Sequence, residues 1–140
     1  MTCTSVQSLP QMVVTVDASY TPPSDGNSKG VAGLAGVVWS GEKPLFVVAE
    51  RTRASSITQA EAMAISLAVR LAQDNTEVVV CSDNKNVADN FLAMKSSRLK
   101  AWLKAHNVRL KVVWSPRTNN AVADAFAALA YRRGAFQMML

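Results

Sequence analysis

The chain has 140 residues, of which 49% are hydrophobic and 18% are charged, and its formal net charge is +5 at pH 7. This length and this balance predict one globular domain over residues 1–140 with a sizeable core. A membrane-spanning protein is excluded, because no apolar run approaches the roughly 18 residues that a spanning helix needs. The excess of Lys and Arg favours a polyanionic partner.

The N-terminal segment, residues 1–11, is expected to be flexible, and it lacks the basic start and apolar stretch of a signal peptide. Cys3 and Cys81 are a poor disulfide framework, because Cys3 lies in this segment and Cys81 in a predicted central strand. A reducing, cytoplasmic compartment is therefore the expectation.

Strand and helix patterns alternate along the chain. Strands are predicted over residues 12–19, 31–40 and 45–53, and the turns between them are too short for a crossover helix, so these strands should be antiparallel neighbours. The order of elements predicts an α/β fold, a mixed five-stranded sheet with three antiparallel strands followed by parallel ones and helices on both faces. The remaining elements are a helix over 58–73, a strand over 77–82, a helical stretch over 84–106 broken near Ser96 and Ser97, a strand over 108–114, a helix over 121–133 and an apolar tail over 135–140.

Four acidic residues occupy positions where a carboxylate is unusual. Asp17 closes the apolar run Met12–Val16, and Asp83 comes shortly after the apolar run Val78–Cys81. Glu61 lies on the apolar face of the first predicted helix, and Asp124 opens the last helix. If the fold brings these side chains together, they must bind a divalent cation or repel one another.

Each carboxylate has a structural interpretation as well. Glu61 near the start of its helix would favour the helix dipole, although a lone charge on an apolar face costs roughly several kcal/mol. Asp83 and Asp124 could stabilise the N-terminus of a neighbouring helix. The end of a strand entering a helix is also where α/β sheets place ligands. Asp17 has no helix to cap, so a functional role is favoured for it.

The ordered set of four is more specific than any single member. Together with its flanking motifs it resembles ribonuclease H of type 1, over about residues 13–133. The pattern Pro-Arg-x-x-Asn-x-x-Ala-Asp, from Pro116 to Asp124, is similar to the archaeal and plant-type branch of that family. The segments that carry the resemblance are Val16-Asp-Ala-Ser19, Gln59-Ala-Glu-Ala-Met-Ala64, Val80-Cys-Ser-Asp-Asn84 and residues 113–126.

The resemblance implies an endonuclease that hydrolyses the RNA strand of RNA–DNA hybrids and leaves 5′-phosphate and 3′-hydroxyl ends. It implies two Mg²⁺ ions, with Mn²⁺ as an alternative, because hard oxygen ligands suit these cations. By resemblance Asp17 would bridge the ions, and Asp124 would hold the ion that positions the attacking water. Glu61 and Asp83 would complete the coordination of the ion nearer the leaving group.

Two departures from the family pattern concern the substrate. The single histidine, His106, lies outside the loop before the last acid, and Arg117 occupies that loop, where it could contact the scissile phosphate. The Asn pair that many relatives use to contact the RNA 2′-hydroxyl is replaced by Ile57-Thr58, so RNA selectivity stays open. The substrate contacts implied by the resemblance are Ser19, Thr58, Gln59, Asn84 and Asn120.

A basic segment, Lys95–Lys104, predicts phosphate contacts with salt-sensitive affinity through Arg98, Lys100 and Lys104. The alternative is a solvated helix face whose apolar residues Leu99, Trp102 and Leu103 pack inward.

Two other functions remain at this point. Another nuclease of the superfamily, such as a Holliday-junction resolvase, is disfavoured by the pattern over residues 116–124. A catalytically silent nucleic-acid-binding module is disfavoured because all four carboxylates are present. The sequence does not decide the oligomeric state, and a monomer is the default expectation.

Overall fold

The computed structural model describes residues 9–24, 29–94 and 96–140. Within them the chain forms a mixed sheet with helices on both faces, so the predicted α/β fold is confirmed. The strands are β1 (Gln11–Thr21), β2 (Gly30–Ser40), β3 (Lys43–Ala54), β4 (Glu77–Ser82), β5 (Arg109–Trp114) and β6 (Phe136–Met139). The helices are α1 (Ile57–Val69), α2 (Lys85–Met94), α3 (Ser97–His106) and α4 (Ala121–Arg133), and a 3₁₀ turn spans Arg117–Asn120.

The sheet has the strand order β5-β4-β1-β2-β3-β6. Strands β1, β2 and β3 are antiparallel neighbours, as predicted, and β4 joins β1 in parallel. β5 continues the parallel half beside β4. The central strand β1 thus has an antiparallel partner on one side and a parallel partner on the other.

The predicted number of five strands is wrong, because the predicted C-terminal tail contains a sixth strand. Gly134 has a φ of 95°, a conformation that glycine adopts without strain, and it turns the chain out of α4. β6 then pairs antiparallel with β3. The ring of Phe136 packs on Phe126, with centroids 5.9 Å apart, which holds this short strand against the helix.

The N-terminal prediction is corrected in part. Residues 1–8 lie outside the described residues, but Gln11 already belongs to β1 and is paired with Glu77 of β4. The side chains of the two residues add a hydrogen bond of 2.8 Å. The segment expected to be flexible therefore does not extend to residue 11.

The two faces of the sheet carry different cores. On the face covered by α1, the strand residues Val14, Val16 and Leu34 are fully buried against helix residues such as Ile65. On the face covered by α4 the contacts are between small residues: Ala35, Ala49, Ala127 and Ala130. This small-residue packing brings the α4 backbone close to the sheet.

Gly33 of β2 is the point of closest approach between α4 and the sheet. A Cβ atom at this position would overlap the carbonyl oxygen of Ala127 and the amide nitrogen of Tyr131. Only glycine therefore fits there, and the requirement is for space rather than for an unusual backbone conformation.

The break predicted near Ser96 separates α2 from α3. The Ser96 hydroxyl accepts a hydrogen bond from the Leu99 amide at 3.1 Å and so caps α3. The apolar side of α3 packs inward, as the alternative interpretation of this segment had it, with Leu103 buried. No helix in the part of the chain that the structure describes is long and apolar enough to cross a membrane.

Candidate metal centre

Three of the four predicted carboxylates converge at one end of β1. One oxygen from each of Asp17, Glu61 and Asp83 lies within 4.8 Å of the others. Asp17 and Glu61 are buried, with 3% and 5% of their surface exposed. Such a group is unstable as three charges, so it must hold protons or a cation.

Asp17 lies just beyond the point where β4, the parallel partner of β1, ends. The predicted strand over residues 12–19 contains Asp17, and β1 continues two residues further, to Thr21. The pairing with β4 stops at Val16 and Ser82, so Asp17 is the first residue of β1 beyond it. The carboxylate lies at this gap, where its Oδ1 accepts a hydrogen bond of 2.9 Å from the Ala18 amide.

Glu61 projects from the apolar side of α1 and is not placed by the helix dipole. The first turn of α1 contains no acidic residue. Ala64 and Ile65, three and four residues further along this side of the helix, are buried, whereas Ile57, four residues before Glu61, is 44% exposed. The Oε2 atom of Glu61 is buried and has no hydrogen-bond partner among the described residues. A buried carboxylate oxygen without a partner is costly, and a hard cation is a partner that would satisfy it.

Asp83 lies in the connection between β4 and α2, and it is not the cap of that helix. The Asn84 side chain performs this role, because its Oδ1 accepts a hydrogen bond of 3.0 Å from the Val87 amide. The Asn84 amide donates to the Ser82 hydroxyl at 3.2 Å. The carboxylate of Asp83 is therefore available to the cluster.

Asp124 and Arg117 border the cluster. Asp124, in the first turn of α4, is exposed and hydrogen-bonds with Asp17, but it lies outside the tight group of three. The Nε atom of Arg117 lies 3.8 Å from Oδ2 of Asp83, and the Arg117 side chain is 86% exposed. An exposed ion pair of this length is weak, so the guanidinium can exchange partners at little cost.

The two buried carboxyl groups, those of Asp17 and Glu61, have raised pKa values. Burial, followed by the hydrogen bond with Asp124 and the charge of Asp83, raises the pKa of Asp17 from 3.8 to about 7. Burial, followed by the charges of Asp17 and Asp83, raises the pKa of Glu61 from 4.5 to about 9. The donor set fits a divalent cation, since a cation would replace these protons and lower both pKa values.

These shifts predict that the metal-free protein loses stability as the pH rises. Both pKa values are higher in the folded protein than in the unfolded chain. The contribution of these two carboxyl groups to the free energy of unfolding is therefore fully present below about pH 4 and is lost as the pH rises through about 7 and then 9. Thermal melts in EDTA should therefore give a falling Tm between about pH 5 and pH 9. Mg²⁺ added at the alkaline end should restore it, by mass action. A Tm that is flat with pH would contradict the shifts.

Asn120 corrects the prediction of a substrate contact. Its side chain is completely buried, so it cannot reach a ligand. Its Nδ2 donates a hydrogen bond of 2.8 Å to the carbonyl oxygen of Val16, the residue before Asp17. Asn120 thus ties the start of α4 to the strand that carries the first carboxylate.

Replacing Asn120 with Ala should lower the free energy of unfolding by about 1–3 kcal/mol, because the buried Val16 carbonyl loses its partner. We also expect slower cleavage of the substrate proposed below, since Asp17 and Asp124 lose a shared anchor. Denaturant unfolding and initial rates would measure both effects. The neighbouring Asn119→Ala is the control, because Asn119 is exposed and its side chain, within the part of the chain that the structure describes, donates one hydrogen bond, to the Ser115 hydroxyl. Equal effects of the two substitutions would contradict this role.

The other predicted substrate residues lie on β1, α1 and α3. Ser19 is half-buried in β1, and Thr58 is exposed at the start of α1. Gln59 is engaged locally, because its Oε1 accepts from the amide and hydroxyl of Ser55 at 2.5 and 2.9 Å. Arg98, Lys100 and Lys104 are exposed on α3, and the two lysines border a surface cavity of about 320 Å³.

Trp114 is a site residue that the sequence analysis missed. The sequence predicts it only as the last residue of a strand, and in the structure it ends β5 with 49% of its surface exposed. Its Nε1 donates to the carbonyl oxygen of Asp83 at 3.3 Å, which places the indole beside the cluster. Its position at the end of the last parallel strand, two residues before Pro116, was the available signal.

A protein-family model described as "Reverse transcriptase-like" matches residues 23–130. The chain belongs to this family. The matched range includes Glu61, Asp83 and Asp124 and begins after Asp17. The resemblance to ribonuclease H seen in the sequence is supported by this match and by the solved structures that share the fold. No curated protein matches the chain.

Three solved structures have a similar fold. The N-terminal RNase H domain of a Mycobacterium tuberculosis protein, fused to maltose-binding protein, has 23% identity and a TM-score of 0.58, over 88% of this chain and 94% of that one. RNase H1 from the archaeon Halobacterium salinarum has 18% identity and a TM-score of 0.59, over 86% and 96%. A foamy viral protease-reverse transcriptase in complex with an RNA/DNA hybrid has 15% identity and a TM-score of 0.63, over 94% and 22%. The TM-scores show that this chain shares the fold of all three.

Proposed function

We propose that residues 1–140 act as a single catalytic domain, an endoribonuclease that hydrolyses the RNA strand of RNA–DNA hybrids. The observation that carries this proposal is the group of Asp17, Glu61 and Asp83, whose carboxylate oxygens lie within 4.8 Å of one another. The family and fold favour a nuclease, and the foamy viral structure with the same fold holds an RNA/DNA hybrid.

The three clustered carboxylates would hold Mg²⁺, or Mn²⁺ as an alternative, and Asp124 would complete the site beside Asp17. Bound divalent ions, two in the proposed site, supply a nucleophilic hydroxide at neutral pH and stabilise charge on the attacking and leaving oxygens. Hydrolysis adds water across the P–O3′ bond: the oxygen goes to phosphorus and a proton goes to O3′. The products would be a 5′-phosphate and a 3′-hydroxyl.

Arg117 would act at the mouth of the site. Its guanidinium is exposed, and its one ion pair among the described residues is the long contact to Asp83, so it can turn to a non-bridging oxygen of the scissile phosphate. A charge-assisted, bidentate hydrogen bond to phosphate is stronger than the exposed ion pair that it replaces. The exchange would orient the phosphate over the carboxylates.

Selection of RNA would depend on the start of α1. Gln59 is engaged in capping, whereas Thr58 presents an exposed hydroxyl there. A ribose 2′-hydroxyl both donates and accepts hydrogen bonds, so the Thr58 hydroxyl is a suitable partner. Arg98, Lys100 and Lys104, all exposed on α3, would contact phosphates further along the duplex.

The test of this function is a cleavage assay on a labelled RNA–DNA hybrid in Mg²⁺, beside duplex DNA, duplex RNA and a four-way junction. We expect cleavage of the hybrid only, and loss of cleavage in Asp83→Asn. The matched control is Asp89→Asn, because Asp89 is an exposed acid that pairs only with Lys85 on the surface of α2. Cleavage of the junction alone would indicate a resolvase. Binding of the hybrid without cleavage, by folded protein in Mg²⁺ or Mn²⁺, would indicate a silent binding module.

A further inference from the structure

A second cavity, of about 340 Å³, lies at the C-terminal end of β1. Its polar lining includes the cations Lys29 and Arg53 and the half-buried Tyr131, and its apolar wall includes Val31. We propose that this Lys29–Arg53 pocket binds a backbone phosphate of the same nucleic acid that enters the carboxylate site. The proposal rests on the proposed function, because it adds a second anchor for that substrate.

The strand register places the pocket on the same face as Asp17. Side chains two residues apart on a strand share a face, so Asp17 and Thr21 point to the same side of β1. Thr21 pairs with Val31 of β2, which in turn pairs with Arg53 of β3. Directly paired residues share a face too, so these three pocket residues form a row across the sheet on the side of Asp17. Four strand residues span about 13 Å.

The geometry of α4 independently places the pocket on the same side of the molecule as the carboxylates. Asp124 and Tyr131 are seven residues apart, which is close to two helical turns, so they lie on one side of α4 about 10 Å apart. Asp124 hydrogen-bonds with Asp17 at one end, and Tyr131 lines the pocket at the other. The tight contact of Gly33 with Ala127 and Tyr131 fixes the helix on the sheet between the two sites.

This spacing corresponds to roughly three or four nucleotides, since the phosphates of one strand recur about every 3.4 Å along a duplex axis. The chemistry of the pocket suits a phosphate as well. Arg53 donates one N–H to the Lys29 carbonyl oxygen at 3.4 Å, which orients the guanidinium and leaves further donors for a ligand. Among the described residues neither cation forms an ion pair with a carboxylate.

The test compares the double variant Lys29→Gln/Arg53→Gln with Lys43→Gln/Arg70→Gln, which removes the same charge. Lys43 at the start of β3 and Arg70 at the end of α1 are exposed and lie away from the carboxylate end. We expect the pocket variant to raise KM for the hybrid about tenfold with kcat unchanged, and to reduce the slope of log affinity against log salt by about 2. The control variant should show neither effect.

Substrate length sharpens the test. On hybrids cut back to fewer than about three base pairs on the pocket side of the cleavage site, the pocket variant and the wild type should have equal KM. Equal KM and salt slope for both double variants on long hybrids would overturn the pocket while leaving the nuclease function intact. A lower Tm of the pocket variant without a change in KM would also overturn the phosphate pocket. The two cations would then act only by stabilising the negative, C-terminal end of α4.

The two proposals fail separately. If the wild type cleaves no substrate, the proposed function fails, and the salt dependence of hybrid binding still tests the pocket. In that case a reduced slope in Lys29→Gln/Arg53→Gln alone would support a phosphate site, and an unchanged slope would overturn it.

Discussion

Replacing Asp17 with Asn is expected to abolish hybrid cleavage and, in metal-free solution at about pH 8, to raise the Tm of the protein. The carboxylate is 3% exposed and its pKa is raised to about 7, so at this pH it is largely ionised inside the protein. Asn removes that charge and its repulsion with Glu61 and Asp83 while keeping an oxygen that can accept from the Ala18 amide. Loss of a ligand that holds the catalytic ions should slow cleavage by about a thousandfold or more.

The pH dependence of the Tm difference separates this account from a general packing effect. At about pH 5 Asp17 is protonated in the folded protein, so Asp17→Asn should have almost the wild-type Tm there. Mg²⁺ should stabilise the wild type and have little effect on the variant. Asp89→Asn controls for loss of a surface charge. Retained cleavage, or a lower Tm at both pH values, would contradict the assignment of Asp17 to a metal site.

Replacing Gly33 with Ala is expected to have the largest destabilising effect of the predicted substitutions. The new Cβ would overlap main-chain atoms of Ala127 and Tyr131, which cannot move without shifting the whole of α4. Overpacking of this kind costs about 1–3 kcal/mol, and a clash with backbone belongs at the upper end. Because α4 carries Asp124, we also expect loss of hybrid cleavage at temperatures where the variant is still folded.

Gly36 provides a matched control on the same strand. A Cβ there would lie 3.4 Å from Val14 Cγ1 and 3.7 Å from Val48 Cγ1, which are side-chain atoms that can adjust. Gly36→Ala should therefore change the free energy of unfolding by less than about 1 kcal/mol. Denaturant unfolding of both variants measures the difference. If the two substitutions destabilise the protein equally, the close packing of α4 against Gly33 does not determine the position of the helix.

The elements that the sequence predicted correctly are those whose local sequence signals agree with one another. The helix over 121–133 has the predicted bounds, and the break near Ser96 was found because Ser caps helices. Strand β6 was missed because four residues after a glycine carry too little periodicity, and their pairing with β3 is a long-range contact. The strand that contains Asp17 was predicted to end at residue 19 and ends at Thr21, but the gap at Asp17 was not predicted, since the end of β4 sets it.

The candidate site was predicted as a set of acids, whereas the roles of its amide side chains were not. A sequence does not tell whether an Asn in a loop points outward to a ligand or inward to a backbone carbonyl. Asn120 points inward to Val16, and Asn84 caps α2, leaving Asp83 for the cluster. Both roles depend on where the chain crosses itself, which local patterns do not encode.

The most direct test of the central claim is the initial rate of RNA-strand cleavage in a labelled RNA–DNA hybrid as Mg²⁺ is titrated from zero. The account predicts no cleavage in EDTA, a rate that rises and saturates with Mg²⁺, and loss of the whole response in Asp83→Asn with folding intact. Cleavage that persists in EDTA, or folded wild-type protein that cleaves no hybrid at any concentration of Mg²⁺ or Mn²⁺, would contradict it.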